Sequence, residues 1–261
     1  MRRAVVTRPE VEARRWVSAL QDHGWQALSL PLIVIAPPAD PRPLQQARAR
    51  LADFDALMFV SAPAVEQFFA GRPWSAADSA GHSRCWAPGP ATGRALLAAG
   101  VPPGRIDQPD AASDHFDSES LWREVGPQVG SGHRLLVVRG QSEAVVASPR
   151  GSGRDWLAQQ CRARGGGVDW CVAYRRQAPD WGDEERAQAI AASRDGSVWL
   201  LSSTEALDHL AGLLPGVDWS QARAVASHPR IAQAAARMGF GIIVESRPTL
   251  QDLLLNLESL S

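Results

Sequence analysis

Two stretches of this chain repeat each other in a rotated order, and that rotation limits the fold more than any single residue does. "FVSAPAVEQF" (Phe59–Phe68) aligns with "LSSTEALDHL" (Leu201–Leu210). "GPATGRALLAAGV" (Gly89–Val101), which follows the first, aligns with "HPRIAQAAARMGF" (His228–Phe240), which follows the second. Each half therefore runs strand, serine, helix, strand, small-residue turn, helix. A further pair is "HRLLVVRG" leading to "WLAQQCRARGGGV" and "MRRAVVTRP" leading to "WVSALQDHGWQA"; it comes after its companion motifs in one half and before them in the other. The match is thus circular, and the N-terminal unit must join a sheet whose other strands lie near the C-terminus.

Hydrophobic periodicity gives the class of that sheet. "RRAVVTRP" reads as a short buried strand, Glu10 to His23 as an amphipathic helix stopped by Gly24, and "WQALSL" as a second strand. The pattern recurs at "ALMFVS", "RCWAPG", "HRLLVVRG", "SVWLLSS", "RAVAS" and "GIIVES", each flanked by a helical stretch. Apolar strands alternating with helices predict an α/β chain with parallel sheets covered on both faces, and there are too many strands for one small sheet. The expectation is two doubly wound parallel-sheet domains: a discontinuous one from residues 1–34 and 180–261, and an inserted one from 42–169. The crossings, within 32–41 and 170–180, are "PLIVIAPPAD" and "WCVAYRRQAPD", both extended, apolar and proline-ended, as expected for a two-stranded antiparallel ribbon. Tyr174, the only tyrosine beside ten tryptophans, falls on the second crossing and hence beside the expected interdomain cleft.

Composition removes whole classes of chemistry. The chain contains no lysine, so all 27 basic residues are arginine. Pyridoxal-phosphate aldimines, Schiff-base aldol chemistry and Walker-type phosphate loops all need a lysine amine and are excluded. A formal net charge of −1 gives no global field toward nucleic acid or an acidic membrane. "MRRAVVTRPE" has too short an apolar run for a signal peptide and no later run is long enough to span a bilayer, so a cytoplasmic protein is expected. Cys85, Cys161 and Cys171 have no C-x-x-C spacing and read as buried filler. The histidines at 23, 82, 115, 133, 209 and 228 lack metal-ligand spacing, so no metal site is expected. No G-x-G-x-x-G follows the first strand and no G-x-S-x-G is present, while "GSGRDW" after Arg150 is a lone glycine turn.

In open parallel sheets, ligands bind beyond the carboxyl ends of the strands, where helix N-termini present unpaired N–H groups. Those ends here carry Thr7-Arg8, Ser61, Gly89 with Thr92, Arg139-Gly140, Ser202-Ser203-Thr204 and Ser227-His228, groups suited to holding anions. Each hydroxyl taken singly is accounted for by N-capping; the recurrence points to anion binding. His228 is the most tempting general acid or base, yet "SHPRI" is also an ordinary helix start with Pro229 in the first turn. The acidic run Asp183 to Glu185 reads as a helix first turn. Tyr174 is open at this level between strand packing and a phenol that donates a proton to a leaving oxygen.

The motifs "VVTRP", "FVSAPAVEQFF", "GPATGRALLAAG", "FDSESLW", "VVRG" with "GRDWLAQQCRARGGGV", "VAYRRQAP", "LLSSTEAL" and "SHPRIAQAAARMGF" resemble, in order and over nearly the whole chain, bacterial uroporphyrinogen-III synthases. The resemblance implies two α/β domains joined by a two-stranded ribbon. It implies closure of linear hydroxymethylbilane to uroporphyrinogen III with loss of water, the last pyrrole ring being inverted through a spiro intermediate. Such an enzyme is a cyclising hydro-lyase of tetrapyrrole and haem biosynthesis that uses no metal and no organic cofactor. The family's tyrosine, the usual candidate for helping the hydroxyl depart, falls on Tyr174. Ser61, Thr92 and Ser203 match positions associated with substrate binding, Arg8, Arg139 and His228 match motifs with less defined roles, and Gly89, from its strand-end place, is expected to bind substrate with them. A monomer is implied, with a transient hand-over of substrate from the preceding pathway enzyme as a further expectation. One departure is "QSEAVVASPR" (141–150), longer than the turn expected there, which reads as a lid or as a loop without function.

Two readings from other classes compete. A two-domain protein closing on an anionic metabolite without chemistry would share every one of these features, and turnover separates it from an enzyme. A glycosyl- or nucleotide-transfer enzyme would show a glycine-rich or acidic nucleotide site, and none is evident.

Overall fold

The computed structural model describes residues 2–76, 78, 81–110, 118–142, 153–247 and 249–260. The chain begins with β1 (Arg3–Val6), α1 (Glu10–Asp22), β2 (Gln26–Ser29), β3 (Val34–Ala36) and α2 (Arg42–Ala49). Then come β4 (Ala56–Phe59), α3 (Ala62–Phe69), β5 (Arg84–Trp86), α4 (Pro90–Ala98), β6 (Ile106–Asp107) and α5 (Ser118–Val125). These lead to β7 (Arg134–Ser142), α6 (Gly153–Ala163), β8 (Gly167–Gln177), α7 (Asp183–Ala192) and β9 (Val198–Leu201). The last elements are α8 (Thr204–Leu213), β10 (Arg223–Ala226), α9 (Pro229–Met238), β11 (Ile242–Glu245) and α10 (Leu250–Ser259). Two compact units result: Met1–Val34 with Gln177–Ser261, and Ile35–Arg176.

Each unit is built on one sheet. In the first the strand order is β11-β10-β9-β1-β2, and every neighbouring pair is parallel. In the second the order is β3-β8-β7-β4-β5-β6, parallel from β8 through β6. The internal repeat now has a geometric meaning. Matching β9 to β4, β10 to β5, β1 to β7 and β2 to β8 makes the two orders superimpose, with β11 opposite β6 and β3 added at one edge.

Burial explains why the central strands read as unbroken apolar runs. Every residue of β4 (ALMF) and of β9 (VWLL) is buried, as expected of parallel strands with helices on both faces. In the second unit Phe59, Phe68 and Phe69 meet at ring distances of 5.2–5.6 Å. In the first, Trp199 meets Trp219 edge-on at 5.3 Å while Trp219 stacks on Phe240 at 5.0 Å, geometries that aromatic quadrupoles favour. Trp199 sends its indole N–H to the Ala192 carbonyl at 3.1 Å, so its burial leaves no polar atom unpaired.

Helix ends follow the sequence signals. α1 stops where Gly24 takes φ +77°, a left-handed conformation that costs a side-chain-bearing residue about 1 kcal/mol or more. At α7 the Gly182 N–H donates to Glu185 at 3.0 Å, so the acidic run serves the helix start.

The segments expected as an interdomain ribbon are strands of the second unit's sheet. β3 is its edge and neighbours β8, so the two expected crossings adjoin, and residues 170–177 are all of β8 after its first three residues. The reason is continuity: β8 stays paired with β7 from Arg134↔Gly167 to Ser142↔Arg176, so nothing ends the ladder where the crossing begins. One irregularity interrupts it. Arg139 faces Val172 and Gly140 faces Tyr174, which leaves Ala173 as an extra residue on β8 and buries Ala173 and Tyr174 consecutively. Of the unusual stretch 141–150, residues 143–150 lie outside the described residues.

The three thiols are buried. Burial pushes Cys85 from the ordinary 9.0 up to about 12 and Cys171 up to about 11. Folded thiols with raised values hold their protons while the unfolded chain releases them, so this contribution is complete below pH 9 and is lost as pH rises toward 12. Without lysine, the amine titration that usually masks this range is missing. The thermal midpoint of the wild type should therefore fall more steeply between pH 9 and 11 than that of Cys85→Ala, whatever their difference at pH 7. Parallel slopes in differential scanning calorimetry would refute it.

Candidate active site

At the carboxyl edge of the second unit's sheet, β4 gives way to α3 through Ser61. The ladder continues one residue past β4, with Val60 N–H donating to Val138 O at 3.2 Å, and then Ser61 turns the chain. Its hydroxyl accepts the Ala64 N–H at 3.3 Å, which caps α3. The same oxygen lies 3.2 Å from the phenol oxygen of Tyr174, and either group can donate in that bond. Tyr174 is only 4% exposed and belongs to the hydrophobic core of its unit, so its polar end is held where the ring is not solvated.

Around this pair the other expected residues occupy neighbouring strand ends. Gly89 is the N-cap of α4; with φ −168° it is extended, so its torsion does not require glycine. Thr92, buried in the first turn of α4, sends its backbone N–H to Gly89 O at 3.1 Å. Arg139, on β7, holds its guanidinium over the Trp170 ring at 4.7 Å, a cation–π contact.

The first unit carries its own set. Thr7 is buried and its hydroxyl donates to Leu200 O at 2.7 Å, so it closes the strand ladder. Arg8 is paired with Glu12 at 3.0 Å and lies over Trp16 at 4.5 Å. Ser203 stands at the N-cap of α8 without a side-chain cap bond, which leaves its hydroxyl uncommitted to that helix. His228 caps α9, its Nδ1 accepting the Arg230 N–H at 3.1 Å. A ring nitrogen used in this way is an acceptor and therefore unprotonated at Nδ1.

Within the second unit the structure brings Ser61 and Tyr174 into contact, while Gly89, Thr92 and Arg139 stand on adjacent turns and strands. In the first unit Arg8, Ser203 and His228 end β1, β9 and β10, which are neighbours in the sheet. Sequence reasoning missed two features. It did not pair Ser61 with Tyr174, and it grouped Gly140 with Arg139 as an anion donor. The signal for the first was the strand order, which no local motif carries.

A family model described as "Uroporphyrinogen-III synthase HemD" matches residues 14–254. The chain belongs to the uroporphyrinogen-III synthase family. These are enzymes of tetrapyrrole biosynthesis. A uroporphyrinogen-III synthase from Synechococcus elongatus is 29% identical over 226 residues, covering 83% of this chain and 77% of that one. Among solved structures, uroporphyrinogen-III synthetase from Helicobacter pylori aligns over 100% of both chains with a TM-score of 0.62 at 14% identity. A mutant uroporphyrinogen III synthase from Thermus thermophilus aligns over 100% of this chain and 98% of its own, with a TM-score of 0.54 at 17% identity. At these identities the two structures speak for the fold, that of the uroporphyrinogen-III synthases.

Capping by His228 has a direct test. His228→Asn keeps an acceptor at the N-cap and should change stability by a few tenths of a kcal/mol, whereas His228→Ala should cost about 1 kcal/mol. Urea denaturation of both variants measures the difference, and equal losses would remove the capping role.

Proposed function

We propose that this chain closes hydroxymethylbilane to uroporphyrinogen III with loss of water, and that Tyr174 is the proton donor for the departing hydroxyl. The observation that carries the assignment is the buried phenol held 3.2 Å from Ser61 Oγ at the carboxyl edge of a parallel sheet. Ser61 Oγ already accepts the Ala64 N–H, so its own hydrogen is available to Tyr174 Oη. With that bond made, the phenol's hydrogen can be given outward. The phenolate left by the transfer keeps the serine hydroxyl as a hydrogen-bond donor.

The reaction balances simply. The phenol proton joins the leaving hydroxyl as water and leaves an electrophilic methylene on the first pyrrole; the substituted carbon of the last pyrrole attacks it, the bond from that carbon to its old methylene bridge breaks, and the freed methylene is captured by the last ring's unsubstituted carbon, which loses its hydrogen and returns a proton to the phenolate. In family terms the intermediate is the spiro compound. The remaining contribution is conformational, since the activated bilane also cyclises unaided to the symmetric type I isomer. We assign recognition of the substrate carboxylates to Gly89, Thr92, Arg139, Arg8, Ser203 and His228. Arginine forks and hydroxyls match carboxylates, and oriented binding of this kind selects which carbon is attacked. On this reading the protein is a cyclising hydro-lyase, cytoplasmic and active as a monomer, receiving its short-lived substrate from the enzyme that makes it.

Freshly generated hydroxymethylbilane, converted anaerobically and resolved into type I and type III products, tests both parts. Wild type should give type III, and Tyr174→Phe should lower the rate of type III formation about a hundredfold. A fully active Tyr174→Phe would remove the phenol from the mechanism and leave the synthase standing. Type I alone from wild type would remove the synthase reading itself.

A further inference from the structure

Tyr174 and Ser61 are not on neighbouring strands. The order β8-β7-β4 places the whole of β7 between the strand that carries the phenol and the strand that ends at Ser61. Two strand spacings are about 10 Å, so the side chain can reach Ser61 only by lying across the backbone of β7. The residue under it is Gly140. A Cβ at that position would stand 2.5 and 2.7 Å from Cε2 and Cε1 of Tyr174, and closer still to Cζ. Real side chains do not approach a ring so closely.

We infer that Gly140 is a positioning residue for the phenol: its missing side chain is the seat that lets the Tyr174 ring cross β7 and hold its hydroxyl at Ser61. Three observations converge on this. Gly140 is not among the glycines with positive φ, so its torsion does not call for glycine and the space above it does. The residue aligned with it in the repeat, through Val5-Val6 and Val137-Val138, is Arg8, two residues past the end of β1, so the repeated sequence pattern does not call for glycine either. Finally, the extra residue Ala173 slips the register so that Tyr174, rather than Ala173, pairs with Gly140. A bulge of this kind re-aims one side chain, and here it aims the ring at the one β7 residue that can accept it.

The seat is separable from the proposed reaction, although its catalytic consequence rests on that reading. Because the chain has one tyrosine, labelling with 13C at tyrosine Cζ gives a single resonance that needs no assignment. In Gly140→Ala that resonance should move at least as far as it does in Ser61→Ala, since both lose the hydrogen bond. A double-mutant cycle in thermal unfolding provides the second arm. Gly140→Ala should lower the midpoint by several degrees beside Tyr174 and by little in the Tyr174→Ala background. A Gly140→Ala chain that fails to fold should be rescued by the second substitution. In turnover, Gly140→Ala should lose about as much kcat for type III as Tyr174→Phe does, about a hundredfold, with KM within about threefold, and should lose no more when added to Tyr174→Phe. An unmoved Cζ resonance, or additive midpoints, would overturn the seat. Type I product from wild type, with the resonance and the cycle as expected, would overturn the function and leave the seat in place.

Discussion

In a parallel sheet every strand ends on the same edge, and every following helix must begin there. That constraint governs each unit of this molecule. It requires crossovers in place of hairpins, it buries β4 and β9 on both faces, and it gathers the polar turn residues on one side without any local instruction. Residues far apart in the chain, such as Ser61 and Tyr174, become neighbours only because β4, β7 and β8 are consecutive in the sheet. The rotated repeat is compatible with the same rule, since a parallel sheet fixes which strands adjoin and leaves open where the chain starts.

The strand ends must also serve the scaffold, and the two demands compete for the same groups. Thr7 gives its hydroxyl to Leu200 O, and His228 gives Nδ1 to the start of α9. Either group would have to surrender a bond worth about 1 kcal/mol to contact a ligand through that atom. Ser61 escapes the conflict because a hydroxyl can accept the Ala64 N–H and still donate its own hydrogen. Ser203 escapes it by making no side-chain cap bond. The groups left for chemistry are therefore those whose bonding capacity exceeds what the helix needs.

Much of this was legible in the sequence, and what was not has a physical cause. The apolar runs, Gly24, Pro229 and Asp183 to Glu185 marked strands and helix ends, because those signals depend on local torsion and local bonding. β6, only Ile106–Asp107, was not anticipated, since two residues carry no period and pair with β5 through the sheet alone. The two crossings expected to pair do adjoin, as β3 and β8, but β8 also runs on along β7, because apolar character cannot say how many strands a segment joins. Tyr174 drew attention as the lone phenol, but its partner and its seat depend on sheet order and on a bulge, neither of which leaves a spacing in the chain. Gly140 invited a donor role because strand-end glycines often expose their N–H groups; its actual distinction is the absence of a Cβ.

The arginine-only character of the chain fits what such strand ends can offer. Arg8 lies over Trp16 at 4.5 Å and Arg139 over Trp170 at 4.7 Å, so one strand-end guanidinium in each unit is held against an indole ring. A guanidinium held over a ring keeps N–H donors for a carboxylate, onto which its edge can fork. Lysine could not be held so, because an ammonium has no plane to stack and would keep more of its rotational freedom. For a substrate whose correct product depends on which carbon is attacked, a cation fixed in direction contributes more than one fixed only in position. Arg8 is in addition tied to Glu12 at 3.0 Å, so an incoming carboxylate must displace a protein carboxylate from that fork, whereas Arg139 is held by its aromatic partner. Among the described residues Arg8 has a carboxylate partner and Arg139 has none, which on the proposed reading makes Arg139 the stronger anchor for an anion.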